Sequence, residues 1–250
     1  MENLLNTRFG LPPKAKVLDI GCGKGELVTK LGSLGFDAFG ADFPESLPEP
    51  RPSQLLPIEV TLLQDSRKSY RVLSAYRLPF PDQMFSAVVS TSVLEHVMDK
   101  ETFFREVGRV LEPGGVLLSS FPGSKYLPVE THIRVPLVNF LLPHLPDWWL
   151  ALWAILGIRS QNQKGLPWRK VYQSNLDYCR NSLNYWPVRR YRKHLLASGF
   201  HDFQCGTVDY LELMHGGYAA LLRRIRLPRL FRKAFCDVRD VTISAIRDQA

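Results

Sequence analysis

Cysteine is scarce and unpaired in this sequence: Cys22, Cys179, Cys205 and Cys236 are the only four in 250 residues, with no Cys-x-x-Cys and no partnering histidine spacing. That excludes a disulfide framework and a zinc module, and all four thiols are expected to be reduced. Long apolar runs are missing too. Residues 148–156 are apolar throughout, but nine residues fall well short of the roughly 20 that a membrane-spanning helix needs. The opening Met1-Glu2-Asn3-Leu4-Leu5 lacks the charged-then-apolar order of a signal peptide, so a cytoplasmic location is expected. No low-complexity tract and no internal repeat interrupts the chain, and a hydrophobic content of 45% is that of a folded core.

Acidic residues are short in one half only. Residues 1–125 carry 14 Lys and Arg against 15 Asp and Glu, whereas residues 126–250 carry 18 against 9. The net charge of +8 therefore belongs to the second half. A basic half of this kind suits an anionic substrate, a membrane surface or nucleic acid, or else is a solvated face.

What the sequence does have is a glycine loop around which the rest is ordered. The β-branched, apolar run at residues 17–20 breaks into Gly21, Gly23 and Gly25, and Leu27, Val28 and Leu31 then take helical spacing. The pattern predicts strand, tight turn and helix. Glycine admits left-handed backbone angles and lets a ligand approach the main chain, while the helix start presents free N–H groups to a negative group.

The neighbours of the loop narrow the choice. Asp19-x-Gly21-x-Gly23-x-Gly25, with the acid at the strand end, resembles the first motif of class I S-adenosylmethionine-dependent methyltransferases and differs from the dehydrogenase pattern. Gly40-Ala41-Asp42, Leu78-Pro79-Phe80-Pro81-Asp82-x-x-Phe85, Leu94-Glu95-His96 and Arg109-Val110-Leu111-Glu112-Pro113-Gly114-Gly115 follow in the order that superfamily shows. The resemblance implies an α/β, doubly wound Rossmann-like sheet and S-adenosylmethionine as cofactor, with S-adenosylhomocysteine as product. It implies cofactor contacts from Asp19, Gly21, Cys22, Gly23, Gly25, Asp42, Phe43, Ser74, Ala75, Ser90, Thr91 and Ser92, with Asp42 accepting from the ribose hydroxyls. Ser74 stands where many relatives carry an aspartate that accepts from the adenine amino group, and Ser86 where they usually carry another.

Taken in order, the chain divides into three expected parts. Residues 1–121 hold strands one to five, with strand two at 37–40, a short third strand at 71–74, and a proline-broken stretch between them at 44–69 that has no clear period. Residues 122–186 are a helical insertion expected to form a lid and recognise the substrate, because insertions after strand five sit beside the strand edges where ligands bind. Residues 187–250 return to the core: a helix ending at Gly199, a strand over 201–213, a basic amphipathic stretch over 214–235 and a last, antiparallel strand over 238–246.

Chemistry is sought at the insertion. A sulfonium methyl donor is already activated, so aligning a nucleophile and excluding water is most of the task. An alcohol acceptor benefits from a general base. His132 is the candidate, Glu130 its orienting group and His96 a further candidate facing cofactor or substrate; residues 129–137 also resemble a Glu-x-His-x-x-x-Pro segment of methyltransferases encoded among bacterial glycan and secondary-metabolite genes. The expected acceptor is a small molecule methylated on oxygen. No metal is expected, because no acidic cluster is apparent. Nucleic acid is not expected as a partner, since Thr91-Ser92-Val93-Leu94 replaces the Asn/Asp-Pro-Pro-aromatic stretch of base-amino methyltransferases. Two alternatives stay open: a lipid-linked or apolar acceptor reached at a membrane surface, with Trp148, Trp149 and Trp153 as interfacial or pocket-wall groups, and a non-catalytic S-adenosylmethionine-binding protein.

Overall fold

In Lys16–Ile20 every residue after the first is buried, and in Phe85–Thr91 every residue from Ala87 to Ser90. Strands buried on both faces pair in parallel beneath helices on either side. The computed structural model, which describes Leu5 and residues 8–64, 71–122, 128–142, 144–206 and 240–249, has that form. Its strands are β1 (Lys16–Ile20), β2 (Asp37–Asp42), β3 (Leu55–Pro57), β4 (Glu59–Gln64), β5 (Arg71–Arg77), β6 (Phe85–Thr91), β7 (Leu111–Pro122), β8 (Phe200–Cys205) and β9 (Asp240–Arg247). The helices are α1 (Glu26–Ser33), α2 (Lys100–Val110), α3 (Val138–Leu141), α4 (Asp147–Ile155), α5 (Trp168–Asn181) and α6 (Val188–Ala197).

Seven strands form one sheet in the order β3-β2-β1-β6-β7-β9-β8. All neighbours from β3 to β7 are parallel, and β9 runs antiparallel to both β7 and β8. The chain leaves β1 toward β2 on one side and returns to β6 on the other, so the crevice outside their carboxyl ends is where a doubly wound sheet binds ligands. Period-two alternation builds two cores. Val17, Ala87, Val89 and Leu118 pack with Val28 and Leu31 of α1 on one face. Leu18, Ile20, Val88 and Leu117 pack with Phe103, Phe104 and Val107 of α2 and Tyr191 and Leu195 of α6 on the other.

One element is not where the sequence put it. The third strand of the sheet is Leu55–Pro57, pairing Gly40 with Leu55 and Asp42 with Pro57. The expected strand at 71–74 belongs to β5, which pairs antiparallel with β4 in a separate two-stranded ribbon. Three residues among prolines are too few to show a period, and Pro57, having no N–H, is tolerated because β3 is an edge strand. The last strand is antiparallel as expected, within Asp240–Arg247. The basic stretch 214–235, most of the expected strand 201–213 and the side chains of Ser74 and Ala75 lie outside the described residues.

Arg109 explains why the Leu78–Pro81 segment and the end of α2 go together. Its guanidinium donates to the carbonyls of Phe80 (2.8 Å) and Leu78 (3.0 Å) and to Glu106 (2.7 and 2.8 Å), while Glu106 accepts from the Leu78 backbone (2.9 Å). Charge-assisted bonds of this kind fix a loop that has no ladder partner.

The helical insertion has a hydrophobic cluster of its own. Ile133, Val135, Val138, Leu150, Cys179 and Leu183 are buried, with Trp149, Trp153 and Tyr178 packed around them. It joins the sheet through Asn184, whose backbone donates to the Glu95 carbonyl (2.7 Å) and whose side-chain amide donates to Val97 and Met98. Its carbonyl accepts from the buried Lys100 ammonium (2.6 Å), which also reaches Val97 (2.6 Å).

Candidate active site

The glycine loop closes the top of β1 against β2. Gly21 donates to the Ala41 carbonyl (2.7 Å), Gly23 donates to Asp42 Oδ2 (2.7 Å) and Phe43 donates to Asp42 Oδ1 (2.7 Å). Both Asp42 oxygens are thereby oriented, each with a lone pair left for a hydroxyl donor. Gly21 has φ 75°, and a Cβ there would lie 2.2 Å from Val93 Cγ2. Gly21→Ala should therefore lower the melting temperature and weaken cofactor binding; the left-handed backbone alone costs about 1–2 kcal/mol. Adding Val93→Ala should recover the part due to the clash and leave the backbone part, which thermal melts of the single and double variants separate.

Asp19 is 3% exposed at the end of β1. Burial, and then the charge of Asp42, push its carboxyl up to about 8. Burial, and then the charges of Asp19 and Asp42, push the Cys22 thiol up to about 12, so that sulfur is an inert packing group. Ser90 is fully buried and its hydroxyl is engaged with Ser119 Oγ (2.7 Å). Thr91 is exposed at the end of β6, and Ser92 beyond it has φ 57°.

A cavity of about 450 Å³ opens beside the loop, within the range of small-molecule sites. Gly21, Asp42, Phe43 and Ser92 line it from the expected cofactor set, and His96 from the expected catalytic set. Ile20, Ile58, Val93, Val97 and Phe103 give it apolar walls, and the end of α5 closes it with Tyr178, Asn181 and Ser182. Trp148, Trp149 and Trp153 are not among its lining residues: Trp149 donates to the Pro136 carbonyl (2.8 Å) inside the insertion, and Trp148 is 62% exposed. Among the described residues, the aromatic group that the insertion brings to the cavity is Tyr178.

At and behind the cavity wall, five titratable groups converge. His96 Nδ1–H donates to the Ser182 carbonyl (2.7 Å), which fixes its neutral tautomer and leaves Nε2 with the lone pair. Its pKa is lowered, by burial first and by His132 among the charges. The His132 ring lies 5.1 Å from that of His96 and 5.6 Å from Tyr178. Glu130, fully buried, accepts from His132 Nδ1–H (2.8 Å) and from the backbone N–H groups of His132 (2.7 Å) and Ile133 (2.8 Å). That carboxylate raises the pKa of His132 against the opposing effect of burial.

Sequence reasoning missed two members of this cluster. Glu95 is fully buried with neither carboxyl oxygen hydrogen-bonded, and burial pushes it up to about 7. It stands 3.9 Å from His96 Nε2. Donor atoms of Glu95, His96 and His132 lie within 4.8 Å of one another, close enough to hold a metal ion, a grouping that spacing could not reveal. The Tyr178 hydroxyl is likewise buried without a partner. In the sequence Glu95 stood out only as part of the Leu94-Glu95-His96 segment of the family resemblance, with nothing to mark it as part of the site.

Residues 18–119 match the methyltransferase domain family. These residues form a class I S-adenosylmethionine-dependent methyltransferase domain. Among curated proteins, the domain is similar to the ubiquinone biosynthesis O-methyltransferase of Mesorhizobium japonicum, 32% identical over 124 residues that make up 47% of each chain. It is also similar to the ubiquinone/menaquinone biosynthesis C-methyltransferase UbiE of Shewanella oneidensis, 36% identical over 116 residues, 44% of this chain and 43% of the relative. The match thus spans less than half the length of either relative. In fold, the chain superposes on the YcgJ protein of Bacillus subtilis with a TM-score of 0.52 and 16% identity, covering 100% of this chain and 98% of that one. S-adenosylmethionine is the cofactor of such a domain, and the residues fit it. Asp19 is a buried carboxyl that burial and a second carboxylate both push upward, a position that a cationic ligand would stabilise.

Proposed function

We propose that the protein transfers the methyl group of S-adenosylmethionine to a hydroxyl oxygen of a small quinone-type phenol, with the histidine pair behind the cavity receiving the hydroxyl proton. The S–CH3 bond breaks as the O–CH3 bond forms, S-adenosylhomocysteine leaves, and the proton passes to imidazole. The observation that carries the reading is His96 at the wall of the cavity that Gly21 and Asp42 line, with His132 and its Glu130 carboxylate packed against it. His96, kept neutral by burial and oriented by the Ser182 carbonyl, presents the free Nε2 that an oxygen acceptor of ordinary hydroxyl acidity requires. Glu95 and Glu130 supply buried negative charge that favours a protonated imidazole once the proton has moved. The apolar walls suit an aromatic acceptor, and the relatives named for quinone biosynthesis support that class.

The test is a transfer assay with S-adenosylmethionine and a panel of phenols, catechols, hydroquinones, carboxylic acids and amines, read as S-adenosylhomocysteine formed. Product mass and NMR separate a methoxy group from a ring methyl, the outcome the similarity to a C-methyltransferase would favour. Turnover is expected with hydroxylated aromatics and should persist with a chelator present. Loss on chelation would assign the Glu95, His96 and His132 group to a divalent cation instead. Binding of cofactor with no turnover on any acceptor would leave a binding protein that keeps the fold.

A further inference from the structure

The outer face of α4 is apolar along its length. Trp148 (62% exposed), Leu152 (39%), Ile155 (59%) and Leu156 (62%) follow one another at i, i+4, i+7 and i+8. These positions form one helical stripe, while Leu150 and Ala154 on the other side are buried. Trp168, at the start of α5, adds a further exposed aromatic (40%).

The two helices form an antiparallel hairpin. Arg180 near the end of α5 donates to Asp147 at the start of α4 (2.9 Å), so the other ends, with Leu156 and Trp168, share the tip. That tip is built rather than loose. Ile158 donates to the Trp153 carbonyl (2.9 Å), Arg159 to the Leu166 carbonyl (3.0 Å), and the buried Gln163 to Asn175 Oδ1 (2.7 Å). Ser160 and Gln163 close a capping box. A hydrogen-bonded turn holding large apolar side chains outward is a surface shaped for contact, since scattered exposed apolar residues would need no such support.

Charge selects the kind of contact. Lys164, Arg169 and Lys170 are exposed at the tip, and Arg159 is half-buried beside them. Between residues 148 and 176 there is no aspartate or glutamate at all. Apolar and indole groups on one face with cations around them are the pattern of a helix lying in a bilayer interface. Among the described residues no helix is long and apolar enough to cross a membrane, so the contact would be peripheral.

We infer that the tip and outer face of the α4–α5 hairpin dock the protein on an anionic bilayer surface, with Trp148, Leu152, Ile155, Leu156 and Trp168 entering the headgroup boundary and Lys164, Arg169 and Lys170 meeting lipid phosphates. The inference goes beyond the acceptor proposed above and does not depend on it, because vesicle binding is read without turnover.

The full chain is co-sedimented with phosphatidylcholine vesicles with and without 30 mol% phosphatidylglycerol, roughly a physiological anionic fraction, at low and at physiological salt. Binding is expected with the anionic vesicles and should weaken as salt rises. Ile155→Asp with Leu156→Asp should weaken partitioning at least ten-fold, and reversing Lys164, Arg169 and Lys170 to glutamate should weaken it by about a hundred-fold or more, from about five-fold for each basic residue near the surface. Both variants change exposed side chains, and an unchanged thermal melt checks that they fold. The inference is overturned if the parent stays in the supernatant with anionic vesicles at low salt, or if both variants sediment as the parent does. It is overturned too if light scattering shows a dimer that Ile155→Asp with Leu156→Asp dissolves, since the face would then belong to a second copy.

Discussion

Asp19→Asn is expected to abolish useful cofactor binding and to raise the melting temperature at the same time. The two effects have one origin. Burial, with Asp42 adding to it, lifts the Asp19 carboxyl from 3.8 to about 8. A raised carboxyl contributes its full stability only below its unfolded value, and that contribution is lost as pH rises through the folded value. The parent should therefore lose melting temperature between about pH 4 and pH 8 through this residue, and the asparagine variant should not. Near pH 7.5 the variant gains about 2–4 °C for each kcal/mol of relieved charge burial. Cofactor binding moves the other way. A buried carboxyl beside the glycine loop is a position that the cationic end of S-adenosylmethionine would stabilise, and removing one partner of a buried charge pair costs about 2–5 kcal/mol, roughly a thirty-fold loss or more. Because Asp19 holds a proton at pH 7 in the free protein, binding should release it, visible in titration calorimetry as a heat that depends on the buffer. A variant that binds S-adenosylhomocysteine as tightly as the parent would make Asp19 a structural residue only.

His132→Ala should lower kcat by about 10²–10⁴, the range that a general base supplies. His132 is faced by Glu130 on its own turn, by His96 and Glu95 from the loop after β6, and by Tyr178 of α5. The Glu130 hydrogen bond raises its pKa above 6.5, so turnover should fall toward acid on a limb that lies above that value. Glu130→Gln removes the cause of the rise. The limb should then move to lower pH, and the plateau should drop because a weaker base takes the proton. Glu130 also accepts from two backbone N–H groups, so the glutamine, which keeps one carbonyl oxygen, is the fair variant and alanine is not. If His132→Ala leaves the plateau intact and the acid limb follows the acceptor's own pKa, the acceptor ionises unaided and the histidine pair only shapes the cavity.

The strand, glycine loop and helix around Gly21, and Asp42 at the end of β2, were legible in the chain because each depends on residues within a few positions of one another. A buried parallel strand is an apolar run, a left-handed turn calls for glycine, and an acid at a strand end needs no distant partner to be recognised. The antiparallel last strand was legible too, through the family order of elements. What only the tertiary structure decided is everything set by pairing across the chain. Leu55–Pro57 became the third strand because Gly40, Ala41 and Asp42 offered a free edge, and no three residues among prolines can announce that. The tryptophans of α4 could not be sorted from the sequence, since a helix apolar all round gives no clue to which side meets a neighbour; packing against α5 left Trp148 outside and Trp149 half-buried. Glu95, His96 and His132 meet because Asn184 ties the end of the insertion to the loop after β6, which brings Ser182 onto His96 and sets the insertion, with His132, over Glu95. Proximity of that kind comes from long-range hydrogen bonds and burial, and side chains from distant segments carry no local mark of it.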